Sequence, residues 1–295
     1  MSNLSPKAGF QLAKQEHTAA GQPMAAAIPA HRGHRRLPYG PGSTALVTGA
    51  SGGIGEEFAI QLAGRGASLV LVARQTGRLE QLRTALLDRH PGLVIDVVPA
   101  DLSEPGAAAE VARRVDAAGR RIDVLINNAG AAFHGQFAEQ APERIASQIQ
   151  LNAASVAGLT ARFLPPMLAA RHGLVINVAS TAAFQPVPTM AVYAATKAFV
   201  LSFTEALWQE TRGTGVRVLA LCPGATETGF FAAAAEQPFM THRRQTPQQV
   251  VHTALTAAGK TGPTVVSGRM NQFSTLGPRF MPRRLVPAIA RQMVR

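Results

Sequence analysis

Thr48-Gly49-Ala50-Ser51-Gly52-Gly53-Ile54-Gly55 ends an apolar run, Ala45–Thr48, and passes at once into a helical pattern, Ile54–Gly64. Glycines allow a tight strand-to-helix turn and let a pyrophosphate approach the backbone. The helix N-terminus then supplies free N–H groups and the positive end of its dipole. The spacing is Gly-x-x-x-Gly-x-Gly rather than Gly-x-Gly-x-x-Gly, so its weight comes from its position between a first strand and a first helix. Beyond the turn, β-branched apolar runs recur at Ser68–Ala73, Val94–Pro99, Val124–Asn127, Leu174–Ala179, Val216–Leu221 and Thr264–Ser267. Helical patterns lie between them at Arg78–Arg89, Ala107–Ala118, Pro142–Ala170, Val192–Thr211 and Pro247–Ala258. Such alternation predicts α/β architecture, a doubly wound parallel sheet with helices on both faces, in a single domain. No linker divides it, and no internal repeat is found. Pro165-Pro166 inside the fourth helical pattern predicts a kink or break there, because proline removes a donor and crowds the preceding turn.

The second predicted strand ends at Arg74, nineteen residues after Gly55. An acid here would serve a ribose 2′-hydroxyl, whereas an arginine accommodates a 2′-phosphate. No acid stands between Arg74 and Glu80. Ser51 could add a hydroxyl to the same phosphate. NADP is therefore the expected cofactor, and no metal is expected.

Tyr193 and Lys197 are the other conspicuous feature. The chain has two tyrosines and four lysines, yet it places one of each at i and i+4. On a helix that spacing puts both on one face. An ammonium beside a phenol is a device for lowering the phenol's pKa and moving protons near neutrality.

The net charge of +12 resides in the tails. Residues 1–40 carry five cations and one acid, and residues 269–295 carry six arginines and no acid, leaving 18 cations and 16 acids between them. No basic stripe with stacking aromatics marks the body, so no nucleic-acid partner is expected. No apolar run is long enough to span a membrane. The single cysteine, Cys222, excludes an internal disulfide and fits a reducing, cytoplasmic setting. At the end of an apolar run and before Pro223, it reads as a buried structural thiol. Residues 1–40 lack periodicity and read as a disordered or extraneous extension, 41–268 as the catalytic, cofactor-binding domain, and 269–295 as a basic C-terminal extension.

From about Ser43 to Ser267 the chain resembles the short-chain dehydrogenase/reductases, in the branch of Rossmann-like domains of about 250 residues. The resemblance rests on Thr48–Gly55, Asp101, Asn127-Asn128-Ala129-Gly130, Asn152, Ser180, Tyr193 with Lys197, and Pro223-Gly224 with Thr228, in that order. It implies that Asn152, Ser180, Tyr193 and Lys197 are catalytic. Tyr193 would be the general acid that protonates a carbonyl oxygen as hydride arrives, and the base in reverse. Lys197 would stabilise the phenolate and hold the nicotinamide ribose. Ser180 would donate to the substrate oxygen, and Asn152 would hold a relay water. The cofactor would lie on Gly49, Ser51, Gly53, Ile54, Gly55, Arg74, Asp101, Asn128, Ala129, Gly130, Tyr193, Lys197, Pro223, Gly224 and Thr228. Asp101 would accept from the adenine amino group and Thr228 would meet the carboxamide. The residues alone leave other roles open. Asp101 can cap the next helix in competition with Ser103, Ser180 can be a loop hydroxyl, and Thr228 a turn residue.

The implied activity is NADP-dependent hydride transfer between the nicotinamide and a carbonyl or secondary alcohol. The alternative is a non-catalytic, NADP-binding regulatory or scaffold protein of the same fold. Phe230, Phe231, Phe239 and Met240 read as a lid, and Phe133, His134, Phe184 and Gln185 as pocket walls, which favours an apolar or bulky substrate. In the last twenty residues Leu285, Val286, Ile289 and Met293 recur at near-helical spacing among arginines. Such a helix can lie on a membrane surface; packing on its own domain or on a second subunit is the reading adopted, and a homo-oligomer is expected.

Overall fold

A computed structural model describes residues 38–229, 244–260 and 262–293. Its seven strands are β1 (Thr44–Thr48), β2 (Ser68–Ala73), β3 (Ile95–Pro99), β4 (Val124–Asn127), β5 (Gly173–Val178), β6 (Val216–Cys222) and β7 (Thr264–Val266). All pair in parallel, in the order β3-β2-β1-β4-β5-β6-β7. Parallel neighbours need crossovers, and α1 (Gly53–Ala63), α2 (Thr76–Arg89) and α3 (Ala107–Ala117) supply the first ones. Then come α4 (Pro142–Ile149), α5 (Ser155–Ala169), α6 (Ala191–Glu210) and α7 (Pro247–Ala257). The chain order reverses between β1 and β4, which opens a crevice at the carboxyl ends of those strands.

Alternation along each strand divides the core. On β1, Ala45 and Val47 face a cluster with Phe58 and Leu62 of α1, Leu79 and Leu82 of α2, and Val250 and Val251 of α7. Leu46 faces the other side, with Val111 of α3 and Leu159 and Phe163 of α5. A polar ladder crosses this second layer. Asn127 Nδ2 donates to Asn177 Oδ1 (2.8 Å) and Thr160 Oγ1 (3.1 Å), and Asn177 Nδ2 donates to Thr204 Oγ1 (3.0 Å). All four residues are buried, and they tie β4 and β5 to α5 and α6.

Two regions depart from expectation. Pro165 and Pro166 sit inside an uninterrupted α5. Both prolines are exposed, as are Ala161 and Arg162 one turn earlier, so water can serve the carbonyls that lose their partners. The irregularity falls instead at Gln150–Ala154, a π-helical turn between α4 and α5. The packed body also includes Tyr39, whose hydroxyl donates to Leu255 O of α7 at 2.9 Å. The basic C-terminal segment, whose spacing is near-helical, forms two helices, α8 (Arg269–Phe280) and α9 (Leu285–Met293).

Candidate active site

The crevice holds a cavity of about 910 Å³ lined from both halves of the sheet. At its floor Gly49 (φ +66°) and Gly53 (φ +58°) take backbone angles that L side chains rarely adopt. A Cβ on Gly55 would lie 2.2 Å from Gly49 O, so only glycine lets α1 start against the turn. Gly55 therefore shapes the cradle without lining the cavity, whereas Gly49, Ser51, Gly53 and Ile54 do line it. Asn128 fastens the cradle to β4. Its Nδ2 donates to Thr48 O (2.9 Å), while Thr48 Oγ1 accepts from the N–H groups of Asn128 (2.9 Å) and Ala129 (3.0 Å).

Arg74 and Asp101 face each other across the rim, Arg74 Nη1 lying 3.7 Å from Asp101 Oδ2. Partial burial alone would raise the Asp101 carboxyl, but two hydrogen bonds from Ser103 and the Arg74 charge outweigh it and hold it below the usual range. Asp101 Oδ1 accepts from Ser103 N (2.9 Å) and Oγ (2.6 Å), so the local turn role is filled while its other oxygen faces the rim. Arg74 is 72% exposed, and a pair so wet is weak, leaving the guanidinium available to a phosphate. Arg78, in the first turn of α2, also lines this rim. Sequence reasoning missed it, although a second cation four residues after Arg74 was the available signal.

At the other end lies a buried corner. Ser180, following β5, is the N-cap of the short helical turn Thr181–Phe184, its Oγ accepting from Ala182 N at 3.1 Å. The Tyr193 hydroxyl is hydrogen-bonded with Ser180. Lys197 reaches from the next turn of α6, donating from Nζ to Val178 O at 2.7 Å and lying 5.9 Å from the Tyr193 ring centroid. Tyr193 and Lys197 are only 6% and 4% exposed. Burial pushes the Tyr193 phenol up to about 12, against the lowering by its Ser180 hydrogen bond. It pushes Lys197 down to about 8. Burial is the largest influence on both groups, raising the phenol and lowering the ammonium. Both groups leave water, and burial disfavours the charged form of each.

Asn152 does not line the cavity. Fully buried in the π-helical turn, it clasps Ala131, accepting from its N–H (2.9 Å) and donating to its carbonyl (2.8 Å). Its Nδ2 also donates to Thr196 Oγ1 (3.1 Å), which donates to Tyr193 O (2.8 Å). Thr196, unnoticed in the sequence, therefore links the turn to the Tyr193 backbone. Ala129, Gly130, Pro223, Gly224 and Thr228 line the cavity, and so do Phe133, Phe184 and Gln185. His134 lies behind them, its Nε2 2.9 Å from Thr189 Oγ1. Val187 and Met190 extend the apolar wall, and Thr275 of α8 and Ala290 of α9 close it. Cys222 is a buried thiol, pushed up to about 12 by burial, and so is no nucleophile. The expected lid, residues 230–243, lies outside the described residues.

A reversed parallel sheet with a glycine cradle at its switch point defines a dinucleotide-binding α/β protein. A family profile described as short chain dehydrogenase matches residues 43–238, and the chain belongs to that family, the short-chain dehydrogenase/reductases, as an oxidoreductase. It is similar to the solved structure of a short-chain dehydrogenase from Sphingobium yanoikuyae in complex with NADPH, 34% identical with a TM-score of 0.73 over 79% of this chain and 92% of that one. A bulky-bulky ketone specific alcohol dehydrogenase from Comamonas testosteroni is 31% identical with a TM-score of 0.68, over 79% and 91%. Human 17-beta-hydroxysteroid dehydrogenase type 3 is 33% identical over 63% of this chain and 60% of that protein.

Proposed function

We propose that this chain is an NADP-dependent reductase of bulky, apolar carbonyl compounds, reversible with the corresponding secondary alcohols. The observation that carries the reading is the meeting of the Ser180 and Tyr193 hydroxyls beside buried Lys197, at the apolar end of a cavity whose other end is a phosphate cradle. The glycine turn fits a pyrophosphate because a Cβ on Gly55 would strike the backbone. Arg74 with Arg78 and Ser51 would take the 2′-phosphate, and Asp101 the adenine edge. The NADPH complex of the Sphingobium relative supports this cofactor.

NADPH supplies the hydride. Ser180 donates to the substrate oxygen and holds the carbonyl against the Tyr193 hydroxyl. As the carbonyl carbon takes the hydride, its oxygen takes the π electrons and then the phenol proton. A phenol held near 12 is fully protonated at neutral pH, which suits it as the acid of the reductive direction. The phenolate left behind faces the Lys197 ammonium, which persists below about pH 8, and a proton from solvent restores the phenol. Asn152 and Thr196 position this pair from behind. Phe133, Phe184, Val187 and Met190 offer the substrate an apolar wall, in line with the bulky ketone and steroid specificities in the relatives' names. A buried single thiol agrees with a cytoplasmic setting.

The test is a panel of ketones and secondary alcohols, small to steroid-sized, with NADPH and NADP. Turnover should concentrate in the bulky ketones. NADPH binding without turnover of any member would favour the non-catalytic reading instead.

A further inference from the structure

The two C-terminal helices carry apolar side chains that nothing in the described structure covers. On α8, Met270 (67% exposed), Phe273 (71%), Leu276 (47%) and Phe280 (85%) stand out. At 100° per residue they form one stripe. On α9, Leu285 and Ile289 are exposed at i and i+4, while Val286 and Ala290 on the next face are buried. Isolated exposed apolar residues need no explanation, but six in two adjacent helices do.

The same segment is the most basic on the chain. From Arg269 to Arg295 there are six arginines and no acid, although residues 41–268 are nearly balanced. Arg269, Arg283, Arg284 and Arg291 are exposed. Among the described residues none of these four is ion-paired with a carboxylate. A second copy is a poor occupant, because a twofold contact would set these arginines against themselves without a single acid. Residues 1–37 are a poor one too, carrying five cations and one acid. An exposed apolar stripe in a segment of exposed arginines without an acid matches a bilayer surface, where apolar side chains enter the acyl boundary and arginines meet anionic headgroups.

We infer that α8 and α9 dock this protein on an anionic lipid surface, lying on it rather than spanning it. No described helix is long and apolar enough to cross a membrane. The docking does not rest on the proposed reaction. Thr275 and Ala290 line the cavity from these helices, so on that reading an apolar substrate would enter beside the lipid.

The experiment is sedimentation of the full chain with vesicles of phosphatidylcholine alone or with about 30% phosphatidylserine. Anionic vesicles should take up at least about tenfold more protein, and raising NaCl from about 0.1 M to 1 M should release it as the screening length shrinks. Phe273→Ser with Phe280→Ser, neither residue lining the cavity, should cut uptake about tenfold while circular dichroism and NADPH affinity stay unchanged. Arg283→Glu with Arg284→Glu leaves the apolar stripe intact, serves if the first pair misfolds, and should cut uptake similarly. Equal uptake by both vesicle types, or uptake undiminished in both variants, overturns the proposal. So does a dimer that Phe273→Ser with Phe280→Ser dissociates in a protein that ignores vesicles.

Discussion

The two ends of the cavity handle charge in opposite ways. At the nucleotide rim Arg74 stands 72% exposed against a partly exposed Asp101. In the buried corner Lys197 is 4% exposed and donates to a neutral carbonyl. The rim keeps its charge in water, where it costs little and is worth little until a phosphate arrives. The corner takes its charge out of water, and the cost is written into the pKa. On the proposed reading, recognition is left to wet residues on the rim, whereas proton transfer is given a dry site.

The severest break of that contrast is Tyr193→Phe. It removes one hydroxyl, so turnover on a panel substrate should fall about a hundred- to ten-thousandfold with NADPH affinity unchanged. Steady-state kinetics beside cofactor titration checks this, and retained turnover would mean the dry corner does not do the chemistry. Next is Gly55→Ala, whose new Cβ would meet backbone at 2.2 Å. Such overpacking should cost about 1–3 kcal/mol, seen as a lower melting temperature, with NADPH affinity reduced as well. At the rim, Arg74→Asp should weaken NADPH binding about ten- to a hundredfold and move preference toward NADH, by isothermal titration. Unchanged preference would show that Arg74 is a bystander.

The last prediction is read from pH. Lys197 is held near 8, below its unfolded value of 10.5. Between those values the unfolded chain binds more protons, so its contribution to stability rises with pH. It is complete above 10.5 and gone below about 8. Urea unfolding should show the native protein gaining on Lys197→Met across that window, by no more than about 1.4 kcal/mol per pH unit. A difference that is flat with pH would mean that the ammonium is not desolvated.

The legible parts were those governed by local backbone demands. The alternation of runs sets the sheet, and the 48–55 turn marks the switch point because its glycines answer steric needs within a few residues. Asp101, Ser180 and the Tyr193–Lys197 pair could be placed by their position after strands or along one helix. Arg78, a second cation four residues after Arg74, was overlooked. Other features depend on surroundings that a local reading does not contain. Leu151-Asn152-Ala153-Ala154 is good helical sequence, and nothing in it announces a π-helical turn. Pro165-Pro166 was misread because the cost of a lost hydrogen bond depends on whether water reaches the freed carbonyls. The sign of the Tyr193 shift turned on depth of burial, a property of the whole fold. Thr275 and Ala290 reach the cavity from a segment that had looked like a tail.

The Asn127–Asn177–Thr204 ladder acts as a depth stop for α6. Grease alone would let a helix slide on a sheet by fractions of an ångström, since apolar contacts have no direction. Directional bonds in a dry layer admit one seating. Tyr193 and Lys197 ride on that same helix, so their distance from the end of β5 is set two to three turns away, by residues that touch neither cofactor nor substrate. The walls of the pocket are therefore replaceable parts. A lineage, or an engineer, can rebuild the loops bearing Phe133 and Phe184 without moving Tyr193 or Lys197.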